Sequence, residues 1–219
     1  MGSERLLKIC CVAALSLGAP VLGAQGTAVC GVQRWPVKVL LDDDTAFVDH
    51  TPRPTTIAAL AAIPRPTESR PARNRLALER WTFRVRALIR VAPSDEADGD
   101  LHLVLADPAD PTVTLVAEIP DSTCALGSRF ASDYAEARRV VERLPAGAEV
   151  EVDGVAFWDA DHGQTGRAPN IIELHPVVRV APVITPGSLA ALSTGGVAAA
   201  SAAADTTDLR VWVNTSSRI

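Results

Sequence analysis

The chain has 219 residues, of which 47% are hydrophobic and 21% charged, and its formal net charge is −5. This length and composition fit one domain with appendages and exclude two full domains of ordinary size. Arg outnumbers Lys by 19 to 2, a bias typical of GC-rich bacterial genomes, yet acidic residues exceed both basic types together. Because a net acidic surface repels phosphate backbones, the composition argues against nucleic acid as a general partner.

The first 24 residues have the layout of a secretory signal peptide. Arg5 and Lys8 precede an apolar stretch from Ile9 to Leu22, and small residues follow. The apolar stretch is about 14 residues long, whereas a membrane-spanning helix needs about 20. We therefore predict an exported bacterial protein, secreted or periplasmic, with no membrane span in the mature chain. An uncleaved N-terminal anchor is the alternative.

Two cysteines, Cys30 and Cys124, remain after the predicted signal peptide. In an oxidising compartment such a pair most simply forms one disulfide bond. In the chain-entropy model a bond closing so long a loop contributes roughly 4 to 5 kcal/mol of stability. A free reactive thiol is the alternative.

Residues 25–79 form a Pro-rich N-terminal arm for which the sequence predicts little regular structure. Trp35–Leu41 has the composition of a short strand. Thr55 or Thr56 is a candidate N-cap for a short helix that would end at Ile63, before the next proline.

Apolar residues alternate along five stretches between residues 80 and 182, which we predict to be one OB-like β domain. The predicted elements are strands over 80–91, 101–105 and 113–119, a helix over 128–144 with Ser128 as N-cap, and strands over 149–158 and 171–180. The apolar set of the fourth strand shifts by one residue at Gly154, which indicates a β-bulge. Three strands, a helix and two strands is the order of the five-stranded OB barrel. The predicted fold class is thus mainly β with one helix (α+β), and the alternative is an open antiparallel sheet with the helix on one face.

The chain after this domain changes in composition. Residues 183–208 are rich in Ala, Gly, Ser and Thr and predict a flexible linker. Residues 209–219 return to strand-like character. They resemble the opening of a short module at the ends of other secreted bacterial proteins, so we expect a truncated copy of that module.

Three blocks of sequence resemble a group of exported bacterial proteins of unassigned function. The blocks are Cys30–Lys38, His102–Asp107 with Glu118–Pro120, and His162–Asn170 with Glu173–Pro176. The last one, HGQTGRAPN followed by ELHP, is long and specific. It departs from the group's form at one place, where Ile171 replaces a Gly after Asn170. The resemblance covers about residues 30–180, implies the same cysteine pairing and implies no activity.

The loop after the fourth predicted strand is the strongest candidate for a ligand site. Polar side chains surround two glycines there, and in an OB-fold this loop borders the ligand face. The candidate ligand-binding residues are Asp159, Asp161, His162, Gln164, Arg167 and Asn170 in the loop, and Glu173 and His175 on the fifth strand. The last two alternate with core residues and should therefore point away from the core. The alternative interpretation is a rigid hairpin loop held by its own side-chain hydrogen bonds.

Three histidines, His102, His162 and His175, are weak candidates for metal ligands, because imidazoles with a carboxylate suit zinc. Their spacing matches no metal motif, and no phosphate loop or nucleophile elbow is present, so we expect no cofactor. The favoured hypothesis is a non-catalytic binding or interaction domain for an unknown ligand or extracytoplasmic protein. The second hypothesis is a metal-dependent, nuclease-like hydrolase that uses these histidines.

Overall fold

The computed structural model of the protein describes residues 30–31, 33–90, 94–95 and 99–184. The predicted signal peptide, the linker after residue 184 and the C-terminal segment lie outside the described residues. The strands are β1 (Asp49–Thr55), β2 (Trp81–Ile89), β3 (Ser94–Asp95), β4 (Asp100–Ala106), β5 (Thr114–Pro120), β6 (Glu149–Trp158) and β7 (Ile172–Pro182). The helices are α1 (Trp35–Lys38), α2 (Ile57–Ala61) and α3 (Ala131–Val141), with single 3-10 turns at Thr45–Phe47 and Ala77–Arg80.

Five of the strands close into a barrel. The pairing runs β2–β6–β7–β5–β4, and β4 pairs back to β2 through Leu88 with Ala106 and Ile89 with Leu105. β5 and β7 are parallel, and the other pairs within the barrel are antiparallel. This is the order of an OB-like barrel with a helix before its fourth strand, so the predicted fold is confirmed and the open sheet is wrong.

The barrel interior is filled by the apolar residues that alternate along each strand. On β2 the inward side chains are Val85, Ala87 and Ile89, all buried. Helix α3 adds Tyr134 to the same core, and the Tyr134 hydroxyl donates to the backbone oxygen of Val39 at 3.2 Å. The helix begins three residues later than predicted. Ser128 does not cap it, because its hydroxyl instead accepts from the amide of Phe130 in the preceding turn.

The predicted bulge in β6 is wrong, because its core-facing set does not shift: Val150, Val152, Ala156 and Trp158 all lie in the main core. The extra residues lie on β7, where Val177 pairs with Gly154 and Leu174 with Ala156. The register between β6 and β7 shifts on both sides of Gly154, while the pairing of β6 with β2 stays continuous. A side chain here would place its Cβ 2.8 Å from Cβ of Leu174, so the two strands cross too closely for any residue but glycine.

The N-terminal arm holds more regular structure than predicted. β1 lies parallel to β2 at the edge of the sheet, where Pro52 and Pro54 are tolerated because an edge strand leaves amides unpaired. The Thr56 hydroxyl caps α2 by accepting from the amide of Ala59, which confirms the predicted cap. The arm also contributes to the main hydrophobic core through Val39, Ile57 and Leu60.

The stretch Trp35–Leu41 is wrong as a strand and contains the single helical turn α1. The chain enters this turn through Arg34 at φ 56° and leaves it through Leu40 at φ 58°. Pro36 occupies the first turn of a helix, a position where its missing N–H costs nothing. The turn brings Lys38 and Arg34 back over the barrel instead of along a sheet edge.

The disulfide bond between Cys30 and Cys124 is confirmed, with 5.3 Å between the two Cα atoms. The Trp35 indole donates to the backbone oxygen of Cys124 at 3.3 Å, so α1 is tied to the same point. Within the part of the chain that the structure describes, no helix is long and apolar enough to cross a membrane.

Candidate functional site

The N-terminal segment, residues 33–44, covers the outer face of β4, β5 and β7. Glu173 and His175 alternate with core residues as expected, but they are only 1% and 0% exposed because this segment lies over them. Phe157 of β6 is buried beside them, with the Arg34 guanidinium 4.9 Å and the Lys38 ammonium 5.8 Å from its ring centre. This part of the OB-like barrel is therefore closed to solvent by the chain itself.

A cluster of ionisable side chains is buried beneath the segment, and we call it the Lys38 cluster. Its members are Lys38, Asp100, His102, Glu118 and His175. The Lys38 ammonium lies 3.5 Å from Oδ2 of Asp100 and 3.6 Å from Oε2 of Glu118. His175 contacts the same two carboxylates, with Nε2 at 3.5 Å from Oδ2 of Asp100 and Nδ1 at 2.8 Å from Oε2 of Glu118. His102 Nδ1 approaches the other Glu118 oxygen, Oε1, at 3.2 Å.

These contacts keep the cluster charged. Burial alone would lower the pKa of Lys38, but the charges of Glu118 and Asp100 raise it above its ordinary value. Burial likewise opposes the charge on His175, yet the neighbouring Asp100 and Glu118 carboxylates raise its pKa to about 9. Burial would raise the pKa of Glu118, whereas the contacts with His102, His175 and Lys38 hold it well below its usual value. Two carboxylates thus face an ammonium and an imidazolium at neutral pH.

Asp100, Glu118 and His175 each offer a ligand atom, and these atoms lie within 4.8 Å of one another. Such a set has the composition of a metal site. The place next to both carboxylates, however, is taken by the Lys38 ammonium. The three predicted histidine ligands do not meet, since His102 and His175 share Glu118 while His162 pairs with Asp159. We therefore interpret the cluster as an ion network and not as a metal centre.

A second buried ion pair holds the N-terminal segment nearby. The Arg34 guanidinium binds both oxygens of Glu79, at 2.7 and 2.8 Å. The same carboxylate accepts from the backbone amides of Leu76 and Trp158. With four donors Glu79 is fully satisfied, which makes this pair a rigid anchor between the segment and β6.

A third pair, Arg75 with Asp42, fixes the end of the segment. Both side chains are 0% exposed, and the guanidinium contacts the carboxylate at 2.7 Å. Arg75 also donates to the backbone oxygens of Val37 and Glu79. Three separate buried ion networks thus hold the segment on the barrel.

The loop of residues 159–170 is held by its own side chains. The buried Asp159 carboxylate faces Nε2 of His162 at 3.0 Å and accepts from the amide of Gln164 at 2.5 Å. Gln164 also donates to Glu173 at 3.1 Å. These contacts agree with the rigid-loop interpretation, and they turn Asp159, Gln164 and Glu173 inward.

Asn170 supports the base of this loop. It is 7% exposed, and its amide donates to the backbone oxygens of Leu60 and Ile63 at 2.9 and 2.8 Å. Its side-chain oxygen accepts from the amide of Ile172. Because both ends of the amide are engaged by backbone, Asn170 joins α2 to β7. Ile171 next to it has φ 60°, a conformation that favours glycine.

Gly166 allows the backbone of the loop to pack closely against β4. Its φ is 80°, and a Cβ at this position would fall inside the side chain of Val104. The backbone oxygen of Thr165 lies 3.4 Å from Nε2 of His102, so the loop also covers that histidine. The loop and the N-terminal segment together complete the cover over the barrel's outer face.

Three candidate residues of the loop do face solvent. The side chains of Asp161, His162 and Arg167 are 44%, 52% and 41% exposed. Arg167 pairs with Asp161 at 3.1 Å across the turn. Of the eight predicted ligand residues, these three are accessible to a partner, Gln164 is half-buried, and Asp159, Asn170, Glu173 and His175 are buried.

Two adjoining clefts open at the foot of the loop, and both are lined by Arg70 and Trp158; we call them the Arg70 groove. Their volumes are about 370 and 280 Å³. Arg65, Glu68 and Ser69 line one cleft, and Gln33, Arg34 and Asp159 line the other. The Nη1 atom of Arg70 is shielded from solvent and makes no hydrogen bond with the described part of the chain. A guanidinium nitrogen in that state is unusual and is suited to an anionic group.

The decisive residues of this region were not among the sequence candidates. Lys38, Asp100 and Glu118 carry the buried network, and Arg70 lines the groove. One signal was present: Lys38 is the single lysine after residue 24, and it is flanked by apolar residues. Arg70 lies in a Pro-rich stretch without periodicity and gave no signal.

Comparison with known proteins adds little to this picture. No protein-family model and no curated protein sequence matches the chain. Among solved structures, the apo form of TiaS, a tRNA agmatidine synthetase, has 12% identity and a TM-score of 0.26, with 61% of this chain and 33% of that chain covered. A tRNA fluorescent labeling enzyme gives the same values. A complex of TiaS with tRNA, AMPCPP and agmatine has 12% identity and a TM-score of 0.23, with 47% and 27% covered. The chain thus spans about a third or less of these enzymes, and the likeness is too weak to carry a functional argument.

Proposed function

We propose that the protein acts outside the cytoplasm as a non-catalytic binding domain, and that its partner presents an anionic group to the Arg70 groove. The observation that carries this proposal is the Arg70 guanidinium, whose Nη1 atom is shielded and without a hydrogen-bond partner in the described part of the chain. Leaving such a donor unsatisfied costs about 1 to 3 kcal/mol, and a bound carboxylate, sulfate or phosphate oxygen would recover that cost.

The charges around the groove support an anionic partner. Removing the predicted signal peptide leaves 19 basic and 25 acidic residues, so the chain as a whole is acidic. In the groove, by contrast, Arg65 and Arg70 face a single exposed carboxylate, that of Glu68. Arg34 is also at its wall, but its charge is already matched by Glu79. Because the rest of the surface is acidic, an anionic ligand is attracted to the groove and repelled elsewhere, which limits non-specific binding.

The loop of residues 159–170 supports the same location. Its inner side chains are fixed by hydrogen bonds, whereas His162 and Arg167 project from its outer side. Functional residues commonly lie on loops that a rigid framework positions. Asp159 and Ala160 line the groove as well, so the start of the loop forms part of its wall.

The hydrolase hypothesis has less support. It needs His102, His162 and His175 around one metal, but His162 lies at Asp159 and His175 is buried with Lys38 beside its carboxylate partners. A substrate would reach this place only if the N-terminal segment left the barrel. Metal analysis of the purified mature protein separates the two hypotheses, since a stoichiometric metal lost in His175→Ala would favour the enzyme.

Titration calorimetry tests the binding proposal. The probe is an oligo-glutamate peptide at low ionic strength, with an oligo-lysine peptide of equal length as the opposite-charge control. We expect binding of the acidic peptide alone, and a loss of affinity of at least about tenfold in Arg70→Gln, which is about 1.4 kcal/mol. The matched control is Arg139→Gln, an exposed arginine of α3, which should leave affinity unchanged. Equal losses in both variants, or no binding of the acidic peptide, would refute the proposal.

A further inference from the structure

We propose that the chain joins Lys38 to Asp100 through an intramolecular amide bond between Nζ of the lysine and Cγ of the aspartate. The two groups face each other beneath the N-terminal segment, with Nζ 3.5 Å from Oδ2. Their side chains are 7% and 0% exposed. The bond would link the N-terminal segment covalently to β4, close to the disulfide bond that ends at Cys124. It is independent of the ligand proposed for the Arg70 groove.

The geometry of the ion pair favours such a reaction. Contacts between an ammonium and a carboxylate are normally 2.7 to 2.9 Å long, whereas Lys38 lies 3.5 and 3.6 Å from its two carboxylate partners. An amide carries no charge, so its formation removes an ammonium and a carboxylate from a dry site and releases one water to solvent. The fold holds the two groups in place, which gives this intramolecular step a high effective concentration.

The cluster supplies a base and an acid at the required atoms. Oε2 of Glu118 lies 3.6 Å from the Lys38 ammonium and is placed to accept a proton from it. Nε2 of His175 lies 3.5 Å from Oδ2 of Asp100 and is placed to protonate that oxygen. Nδ1 of His175 lies 2.8 Å from Oε2 of Glu118, so the acid and the base are neighbours. The pKa of Glu118 is lowered and that of His175 is raised, so Glu118 starts ionised and His175 starts protonated.

The step balances without a further reactant. The amine freed by Glu118 attacks Cγ of Asp100, which His175 has protonated on oxygen, and forms the N–C bond. The C–O bond then breaks, and the oxygen leaves as water with two of the three protons of the original ammonium. Glu118 and His175 end in the protonation states in which they began, and nothing is oxidised or reduced. Since Lys38 is consumed, each chain undergoes the reaction once.

Lys38 is the only lysine after residue 24, so the loss of a lysine amine from the mature chain can be assigned to this residue alone. The full chain is exported, purified, reduced and unfolded, and its intact mass is compared with that of Lys38→Arg, which cannot form the amide. We expect the wild-type chain to be lighter than its sequence mass by one water, and Lys38→Arg to have its full mass. Amine labelling of the unfolded mature chain should modify the α-amine alone, and tandem mass spectrometry should place the water loss on a peptide pair containing residues 38 and 100.

Two further variants keep the test decisive. Asp100→Asn should give the same cross-linked product with loss of ammonia in place of water. Glu118→Gln should leave most chains at full mass, and circular dichroism should show that its barrel is still folded. A wild-type chain of full mass with a reactive Lys38 amine would overturn the proposal. So would a water loss that maps to any other residue.

Discussion

The outer side of the barrel contains two regions that are both rich in polar residues but differ in what lies over them. On β4, β5 and β7 the ionisable side chains are buried beneath residues 33–44 and matched in charge. At the foot of the loop of residues 159–170, Arg65 and Arg70 line an open groove. The face that OB barrels commonly offer to ligands is therefore closed here, and the binding that we propose takes place at its edge. Polarity on an outer face thus does not by itself mark a ligand site; the covering segment has to be considered too.

The largest effect should come from breaking an anchor of the covered region. Glu79→Ala removes the carboxylate that binds Arg34 at both nitrogens and leaves that guanidinium buried without its partner. We expect a loss of about 3 to 5 kcal/mol in the free energy of unfolding, measured by urea denaturation. Glu149→Ala is the control, because its partner Arg86 is 56% exposed and the loss should stay below about 1 kcal/mol. Equal losses in the two variants would contradict the anchoring role.

The covered region should also respond to pH. The pKa of His175 is raised from 6.5 to about 9 on folding, so the proton is bound more tightly in the folded state. Its contribution, on the order of 3 kcal/mol, is complete below the unfolded value and is lost as the pH rises through about 9. The measurement is urea unfolding across this range on Lys38→Arg, which keeps the positive charge but cannot form the amide. The double variant with His175→Gln should lose that pH dependence, and if its profile is unchanged the assignment to His175 is wrong.

The open region should tolerate substitution. His162→Ala and Arg167→Ala each remove a half-exposed side chain, so each should cost no more than about 1 kcal/mol of stability. Phe157→Ala in the covered region is the contrast, because its ring is 1% exposed and its loss should cost roughly 3 to 5 kcal/mol. A thermal melting series on the three variants makes the comparison. If His162→Ala unfolds the protein as readily as Phe157→Ala, the loop is part of the core framework.

The barrel could be predicted from the sequence because each of its strands shows a local alternation of apolar and polar residues. Alternation places Val85, Ala87 and Ile89 on one face of β2. The bulge was assigned to the wrong strand, because the extra residues opposite Gly154 lie on β7. β1 was missed because Pro52 and Pro54 argue against a central strand, whereas an edge strand accepts them.

The covered region could be predicted only in part. Alternation correctly placed Glu173 and His175 away from the interior, but burial of that face depends on the path of residues 33–44. That path is set by three residues with positive φ, Gln33, Arg34 and Leu40, and by ion pairs with partners far along the chain. Neither the positive-φ residues nor these ion pairs produce a periodic pattern in the sequence. The Cys30–Cys124 bond was the one long-range link that counting residues could provide.

The central claim is that partners bind at the open groove while the covered face serves the fold, and an NMR titration tests it most directly. Oligo-glutamate peptide is added to ¹⁵N-labelled mature protein, and the backbone amide shifts are mapped onto the barrel. We predict shifts at residues 65–70 and 160–167, and none on the covered strands at residues 100–104, 116–118 and 173–175. Shifts confined to those covered strands, or no shifts at all, would contradict the claim.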